Sequence, residues 1–127
     1  MKIQELKTKS KNNNYSIFIG NNILNILRGK IKNLCPKTKK IAIVFDTGIP
    51  NKYKKLILDN LKNYKLLTFN FKASEKTKSL TSVKFFLDKL LFNNFNRSDL
   101  IIGVGGGITN DLVGFVASIL KRGTNFI

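Results

Sequence analysis

Apolar positions along the chain alternate between a period of two and a period near 3.6, and the switches mark out its elements. Tyr15-Ser16-Ile17-Phe18-Ile19 alternates and is rich in β-branched and aromatic side chains, which predicts a strand ended by Gly20-Asn21-Asn22. Before it, the polar, lysine-rich segment from Met1 to Asn14 holds Ile3 and Leu6 as the start of an edge strand and Asn12-Asn13-Asn14 as a turn. Ile23, Leu24, Ile26, Leu27, Ile31 and Leu34 then recur at helical spacing, interrupted by Gly29 and closed by Pro36. Ile41 to Phe45 is an unbroken apolar run of strand length, the pattern of a strand buried on both faces of a parallel sheet, and Asp46 stands at its C-terminal end. A turn at Thr47 to Pro50 leads to a second helical stripe, Tyr53, Leu56, Ile57 and Leu61, reaching about Asn63. Strand Lys65 to Phe71, polar loop Lys72 to Ser79, the helical face Val83, Phe86, Leu87, Leu90 and Leu91, and strand Asp99 to Val104 complete the pattern before a last helix. Strands alternating with helices predict an α/β fold, a Rossmann-like parallel sheet with crossover helices, in a single domain over residues 1–127.

Composition narrows the classes of function. Twenty-three Lys plus Arg against 7 Asp plus Glu give a net charge of +16, a balance that raises the alternative of a lysine-rich nucleic-acid-binding domain. Yet Arg28, Arg97 and Arg122 are the only arginines, and the lysines are spread from Lys2 to Lys121 among abundant Asn, Ile and Phe. That is the residue usage of an AT-rich coding sequence, with no clustered motif for nucleic acid, so nucleic acid is not expected as a partner. Cys35 is the only cysteine, so no internal disulfide forms and a reduced compartment fits. The N-terminus lacks the apolar core of a signal peptide and the apolar run Leu112 to Leu120 is too short to span a bilayer, so a cytoplasmic protein without membrane contact is expected. There is no histidine, and the seven carboxylates are scattered, so no metal site is expected within the chain.

The segment Leu100 to Asp111 sets the glycine triplet Gly105-Gly106-Gly107 between a buried strand and an amphipathic helix. Glycines let backbone amides approach a ligand with no Cβ in the way, and a helix N-terminus offers unpaired N–H groups and a dipole that favours anions. A pyrophosphate suits such a place, although tight turns and closely packed helix starts use glycine too. Asp46 and the loop from Ser74 to Ser79 fall at strand C-termini as well, where ligands gather in open α/β sheets. Asp46 and Glu75 suit ribose hydroxyls and Lys78 suits phosphate charge. Asp46 equally suits a turn or a helix cap, and Glu75 with Lys78 a solvated loop.

Residues Gly105 to Ala117, followed by Lys121-Arg122-Gly123-Thr124-Asn125-Phe126-Ile127, resemble the pattern of the 3-dehydroquinate synthase family: a glycine triplet, Asp, Gly-Phe, then Arg-Gly before Phe-Ile. Upstream, Glu75-Lys76-Thr77-Lys78-Ser79-Leu80 resembles that family's Glu-x-x-Lys-Ser-Leu loop, and Tyr15 to Gly20 its early strand and turn, so the likeness covers essentially the whole chain. The resemblance implies an NAD site with Asp46 and Glu75 on the adenosine ribose side, Lys78 assisting, Gly106, Gly107 and Ile108 at the pyrophosphate, and Asp111 near the nicotinamide. It implies that Arg122 binds the phosphate of substrate held by the neighbouring subunit of a homodimer, a role suited to the planar guanidinium fork. A cation balancing a helix C-terminus is the other reading of Arg122.

The implied enzyme is a lyase of the shikimate pathway leading to chorismate and the aromatic amino acids. It converts 3-deoxy-D-arabino-heptulosonate 7-phosphate to 3-dehydroquinate and phosphate, with NAD and a divalent zinc or cobalt ion. No residue of this chain takes a catalytic role in that reading. The family continues past the position of Ile127 through a Pro-Thr-Thr segment to a helical domain bearing Glu and His metal ligands. The expectation is therefore an N-terminal fragment, truncated relative to the family and inactive on its own. Two departures stand out: Asn110 where the family usually has glycine, and Ala73-Ser74 where it usually has Asp-Gly. Related alternatives are another sugar-phosphate cyclase or half of an iron-type polyol dehydrogenase, though the latter pattern favours Ser after the glycines, against Ile108 and Gly114-Phe115 here.

Overall fold

The computed structural model describes residues 2–12 and 14–127; Met1 and Asn13, the centre of the predicted Asn12-Asn13-Asn14 turn, lie outside the described residues. Strands β1 (Gln4–Lys9) and β2 (Asn14–Ile19) precede helix α1 (Leu24–Leu34). Strand β3 (Lys40–Asp46), helix α2 (Asn51–Leu61), strand β4 (Lys65–Phe71), helix α3 (Leu80–Phe92), strand β5 (Leu100–Val104) and helix α4 (Gly107–Ile119) follow, and a single 3-10 turn, Leu120–Arg122, leads to the two-residue strand β6 (Asn125–Phe126).

Four strands form one parallel sheet in the order β4-β3-β5-β6. The predicted parallel sheet is present, but its membership differs from the simple alternation. The strand at Tyr15 to Ile19 does not join it; β2 pairs antiparallel with β1 in a separate two-stranded ribbon, Leu6 opposite Ile17 and Thr8 opposite Tyr15. Its alternating pattern leaves Tyr15, Ile17 and Ile19 exposed, unlike the continuous run of β3.

Five successive residues of β3, Ile41 to Phe45, are buried because helices cover both faces of the sheet. Period-two geometry divides them. Ile41, Ile43 and Phe45 pack with Leu100 and Ile102 beneath Ile31 of α1 and Ile57 and Leu61 of α2. Ala42 and Val44 pack with Ile101 beneath Val83, Phe86 and Leu90 of α3 and Leu112, Val113 and Val116 of α4. Each large apolar side chain so enclosed contributes roughly 1.5–3 kcal/mol from removal of its surface from water. The predicted short helix runs through Gly29 as α1, and a Cβ there would meet no neighbouring atom.

The N-terminal edge of the sheet is fastened by Asp99, a buried carboxylate whose Oδ1 accepts hydrogen bonds from the amides of Lys40 (2.9 Å) and Lys39 (3.3 Å) while Oδ2 accepts from the amide of Asn96 (3.1 Å). Three amide donors compensate the lost hydration of the charge. That bolt leaves the opposite, C-terminal edge open for loops.

Candidate functional site

From β3 the chain crosses to β4 on one side, and from β4 it crosses back past β3 to β5, so the direction of winding reverses between β3 and β5. A crevice opens at the C-terminal ends of the two strands flanking such a reversal, because the helices that follow them lie on opposite faces of the sheet. Asp46 ends β3 and Gly105 follows β5, and the two are in contact: a Cβ built on Gly105 would stand 3.0 Å from Cβ of Asp46.

The three glycines have different reasons to be there. On Gly105 a Cβ would also meet Thr109 Oγ1 at 2.7 Å, so packing forbids any side chain. On Gly106 or Gly107 a Cβ would meet nothing within 4 Å, and neither residue has a left-handed φ. Their side chains are missing where the protein itself leaves space. Gly106 is the N-cap of α4 and provides no side-chain cap; the first bond back within the helix runs from the Asn110 amide to the Gly106 carbonyl at 3.1 Å. The amides of Gly107, Ile108 and Thr109 thus lack helical acceptors, at the positive end of a 13-residue helix. An anionic group held by backbone N–H groups fits this cradle, and the pyrophosphate of a dinucleotide has the required charge and size.

Asp46 is half buried, and its Oδ1 accepts from the amides of Ala73 (3.4 Å) and Gly48 (3.5 Å), tying the turn after β3 to the loop after β4. A second tie, from the Thr47 amide to the Phe71 carbonyl at 3.0 Å, closes the same seam. The turn role weighed for Asp46 is therefore present, on one carboxylate oxygen.

The loop between β4 and α3 is knotted by hydroxyls. Thr77 Oγ1 accepts from the Ser74 amide at 2.8 Å and lies 2.8 Å from the Lys72 carbonyl, and the Thr77 and Lys78 amides both donate to the Ser74 carbonyl at 3.1 Å. Ser74, half of the departure from the family's Asp-Gly, thus has a bonding role of its own. Ser79 caps α3, its Oγ accepting from the Ser82 amide at 3.3 Å.

The folded loop carries Lys78 to α4, where its Nζ donates to Asp111 Oδ2 at 3.0 Å across the mouth of the crevice. The hydrogen bond and the negative charge of Asp111 raise the Lys78 ammonium above its usual 10.5, Glu75 adds a smaller upward push, and desolvation opposes them. Glu75 is exposed on the same loop. The structure therefore groups Asp46, Glu75, Lys78, Gly106, Gly107, Ile108 and Asp111 at one edge of the sheet. Thr109 belongs to the group as well and was not singled out by sequence: its buried hydroxyl has no hydrogen-bond partner and faces the backbone of Gly105. Helical spacing marks it only as an inward position.

Arg122 lies elsewhere. Helix α4 runs back along the sheet for 13 residues, about 20 Å at 1.5 Å per residue, and delivers Arg122 to the N-terminal edge, beside Asn96, Arg97, Ser98 and Lys121 in an open depression of about 610 Å³. Gly114 and Phe126, both in the motif, touch each other: a Cβ on Gly114 would stand 3.2 Å from the Phe126 ring, so this glycine lets β6 lie against α4.

Among the described residues no group of three His, Cys, Asp or Glu side chains is placed to hold a metal ion, and no helix is long and apolar enough to cross a membrane. The thiol of Cys35, raised by burial, stands apart from the crevice at the C-cap of α1.

Comparison with known proteins agrees with the fold. Residues 68–127 match the family model described as 3-dehydroquinate synthase N-terminal. The chain is 39% identical to 3-dehydroquinate synthase of Pelagibacter ubique over 127 residues, covering all of this chain and 34% of that protein. With the enzyme of the same name from Lactiplantibacillus plantarum it is 37% identical over 125 residues, 97% of this chain and 34% of that one. Among solved structures, 2-deoxy-scyllo-inosose synthase complexed with carbaglucose-6-phosphate, NAD+ and Co2+ superposes with a TM-score of 0.82 at 18% identity, over 97% of this chain and 34% of that one, which shows a shared fold. The chain is thus similar over nearly its whole length to proteins named 3-dehydroquinate synthase, and its second half to that family's N-terminal model; it spans about a third of the length of the curated relatives it matches.

Proposed function

We propose that these residues form the NAD-binding part of a 3-dehydroquinate synthase, a cytoplasmic lyase of the shikimate pathway that converts 3-deoxy-D-arabino-heptulosonate 7-phosphate to 3-dehydroquinate with release of phosphate. The observation that carries the reading is the pair Gly106 and Gly107. Neither crowding nor backbone angle requires glycine there, and both open in front of uncapped helix amides at the reversal point of the sheet. A ligand whose phosphates approach the backbone closely accounts for them.

In this reading the backbone at Gly106, Gly107 and Ile108 holds the pyrophosphate and Lys78 offsets its charge. Asp46, through the oxygen not engaged with Ala73 and Gly48, and Glu75 accept hydrogen bonds from the adenosine ribose. Asp111 lies toward the nicotinamide end, its distance from Lys78 setting the width of the mouth. NAD, when bound, supplies a hydride acceptor that later returns the hydride. The NAD+ in the superposed 2-deoxy-scyllo-inosose synthase supports the assignment. A divalent metal does not fit the donors of the described residues, which include no histidine.

Arg122 in this reading serves the crevice of a second copy in a homodimer, because about 20 Å of helix separates it from its own glycine turn. The test is calorimetric titration of NAD into the protein and into its Gly106→Ala variant. Saturable binding is expected, weakened at least about tenfold by the substitution, or about 1.4 kcal/mol. Absence of NAD binding, together with DNA binding that persists at high salt, would overturn the reading in favour of a nucleic-acid module.

A further inference from the structure

The corner that displays Arg122 is strained. Lys121 and Arg122 have φ of 49° and 66°, and Gly123 follows at 115°, three successive residues in the left-handed region with glycine at only one of them. Such backbone survives only where surrounding bonds over-determine it. Three of those bonds arise within the segment itself: the Gly123 amide to the Leu120 carbonyl (2.9 Å), the Thr124 amide to the Ala117 carbonyl (2.8 Å), and Thr124 Oγ1 to the Leu120 carbonyl (3.2 Å). One comes from a different part of the chain: Arg97 Nε donates to the carbonyl of Gly123 at 3.3 Å.

Arg97 is itself mounted on a braced loop. Asn96 Oδ1 accepts from both the amide (3.0 Å) and the hydroxyl (2.7 Å) of Ser98, and the Asn96 amide donates to buried Asp99. The braced loop thus places Arg97 so that its exposed side chain reaches the carbonyl that ends the strained turn. The depression it shares with Lys121 and Arg122 is lined by three cations and no carboxylate.

We propose that Arg97 is a positioning residue for Arg122: its Nε–H bond to Gly123 holds the Lys121-Arg122-Gly123 turn in the left-handed conformation that aims Arg122 outward. The inference rests on the reading of Arg122 as the arginine that meets substrate phosphate. The guanidinium Nε, part-way along the side chain, matters here rather than the charge alone, so lysine is a poor replacement.

A double-mutant cycle in an active protein that includes these residues tests it, with Arg97→Gln, Arg97→Lys, Arg122→Gln and the double variant Arg97→Gln/Arg122→Gln. Both Arg97 variants are expected to raise KM for the phosphorylated substrate several-fold with NAD affinity unchanged, and Arg97→Gln is expected to add nothing once Arg122 is gone. In NMR spectra the 13Cα and 13Cβ shifts of Lys121 and Arg122 are expected to move away from left-handed values in Arg97→Gln. If Arg122→Gln leaves KM unchanged, the underlying reading of Arg122 fails. If Arg122→Gln raises KM but the Arg97 effect is additive, is rescued by lysine, or leaves the turn's shifts in place, Arg97 does not act through Arg122 and the inference fails.

Discussion

Adjacent glycines in one turn answer to different demands, and substitution separates them. At Gly105 an added methyl would stand 2.7 Å from Thr109 Oγ1 and 3.0 Å from Cβ of Asp46, groups held by α4 and β3, which have little room to yield. Overpacking of this kind costs about 1–3 kcal/mol. Gly105→Ala is expected to lower the urea midpoint accordingly, whereas Gly106→Ala, with nothing within 4 Å of its new methyl, is expected to lower it less, by only the roughly 0.5–1 kcal/mol by which alanine is poorer than glycine at a helix N-cap. Equal losses at the two positions would mean that the whole triplet is structural and that the open space before Gly106 has no ligand to explain it. Residue identity alone does not reveal this division. Three identical letters carry it, and it depends on how closely β3 approaches the end of β5.

Elements differed in how far they were legible for equally physical reasons. Strand β3 stood out because burial on both faces demands five apolar residues in succession, Ile41 to Phe45, a pattern that solvent-facing strands do not need. Strand β2 was recognisable as a strand but not by its partner, since alternation at Tyr15 to Ile19 fits any half-exposed strand and pairing is decided by contacts across the chain. Strand β6, with two residues, is too short for a period to be read; it pairs with β5 while the Phe126 ring lies against Gly114. The placement of Asp46 and of the glycine turn at strand ends followed from the alternation of elements, whereas the Ser74-Thr77 knot, which carries Lys78 to Asp111, depends on hydroxyl geometry that no periodicity encodes. That tether has a pH signature. Because Asp111 raises the Lys78 ammonium above 10.5, the pair's small contribution is fully present at neutral pH and is lost only as pH climbs through the raised value. Both side chains are largely exposed, at 48% and 65%, so the pair acts mainly as a loop tether. An NMR titration of the Lys78 side chain is expected to give a midpoint above 10.5 that falls in Asp111→Asn; an identical midpoint in both proteins would show that the tether does not form in solution.

For the whole molecule, the decisive feature is that the glycine turn and Arg122, both proposed to meet ligand, lie at opposite ends of the sheet. The glycine turn sits at the C-terminal edge and Arg122 at the N-terminal edge, with α4 between them, so if both serve one substrate as proposed, they must come from two copies. A homodimer with two-fold symmetry resolves this if each crevice borrows Arg122 from its partner, since one interface then completes both sites. The arrangement predicts complementation in an active protein that includes these residues. Take Arg122→Gln and Asp111→Asn as separate variants, assayed at substrate well below the raised KM, where each is expected to lose most of its activity. A mixed dimer has one crevice with an intact Asp111 facing an intact Arg122, and one with both lost. Random exchange of subunits makes half of the dimers mixed, so co-refolding equal amounts is expected to restore about a quarter of normal activity. Recovery should require exchange, and mixing without unfolding should restore less at first. No recovery after full exchange, with each variant still folded, would mean that Arg122 does not serve a neighbouring crevice. Its strained display at the far edge would then have to answer to a different ligand.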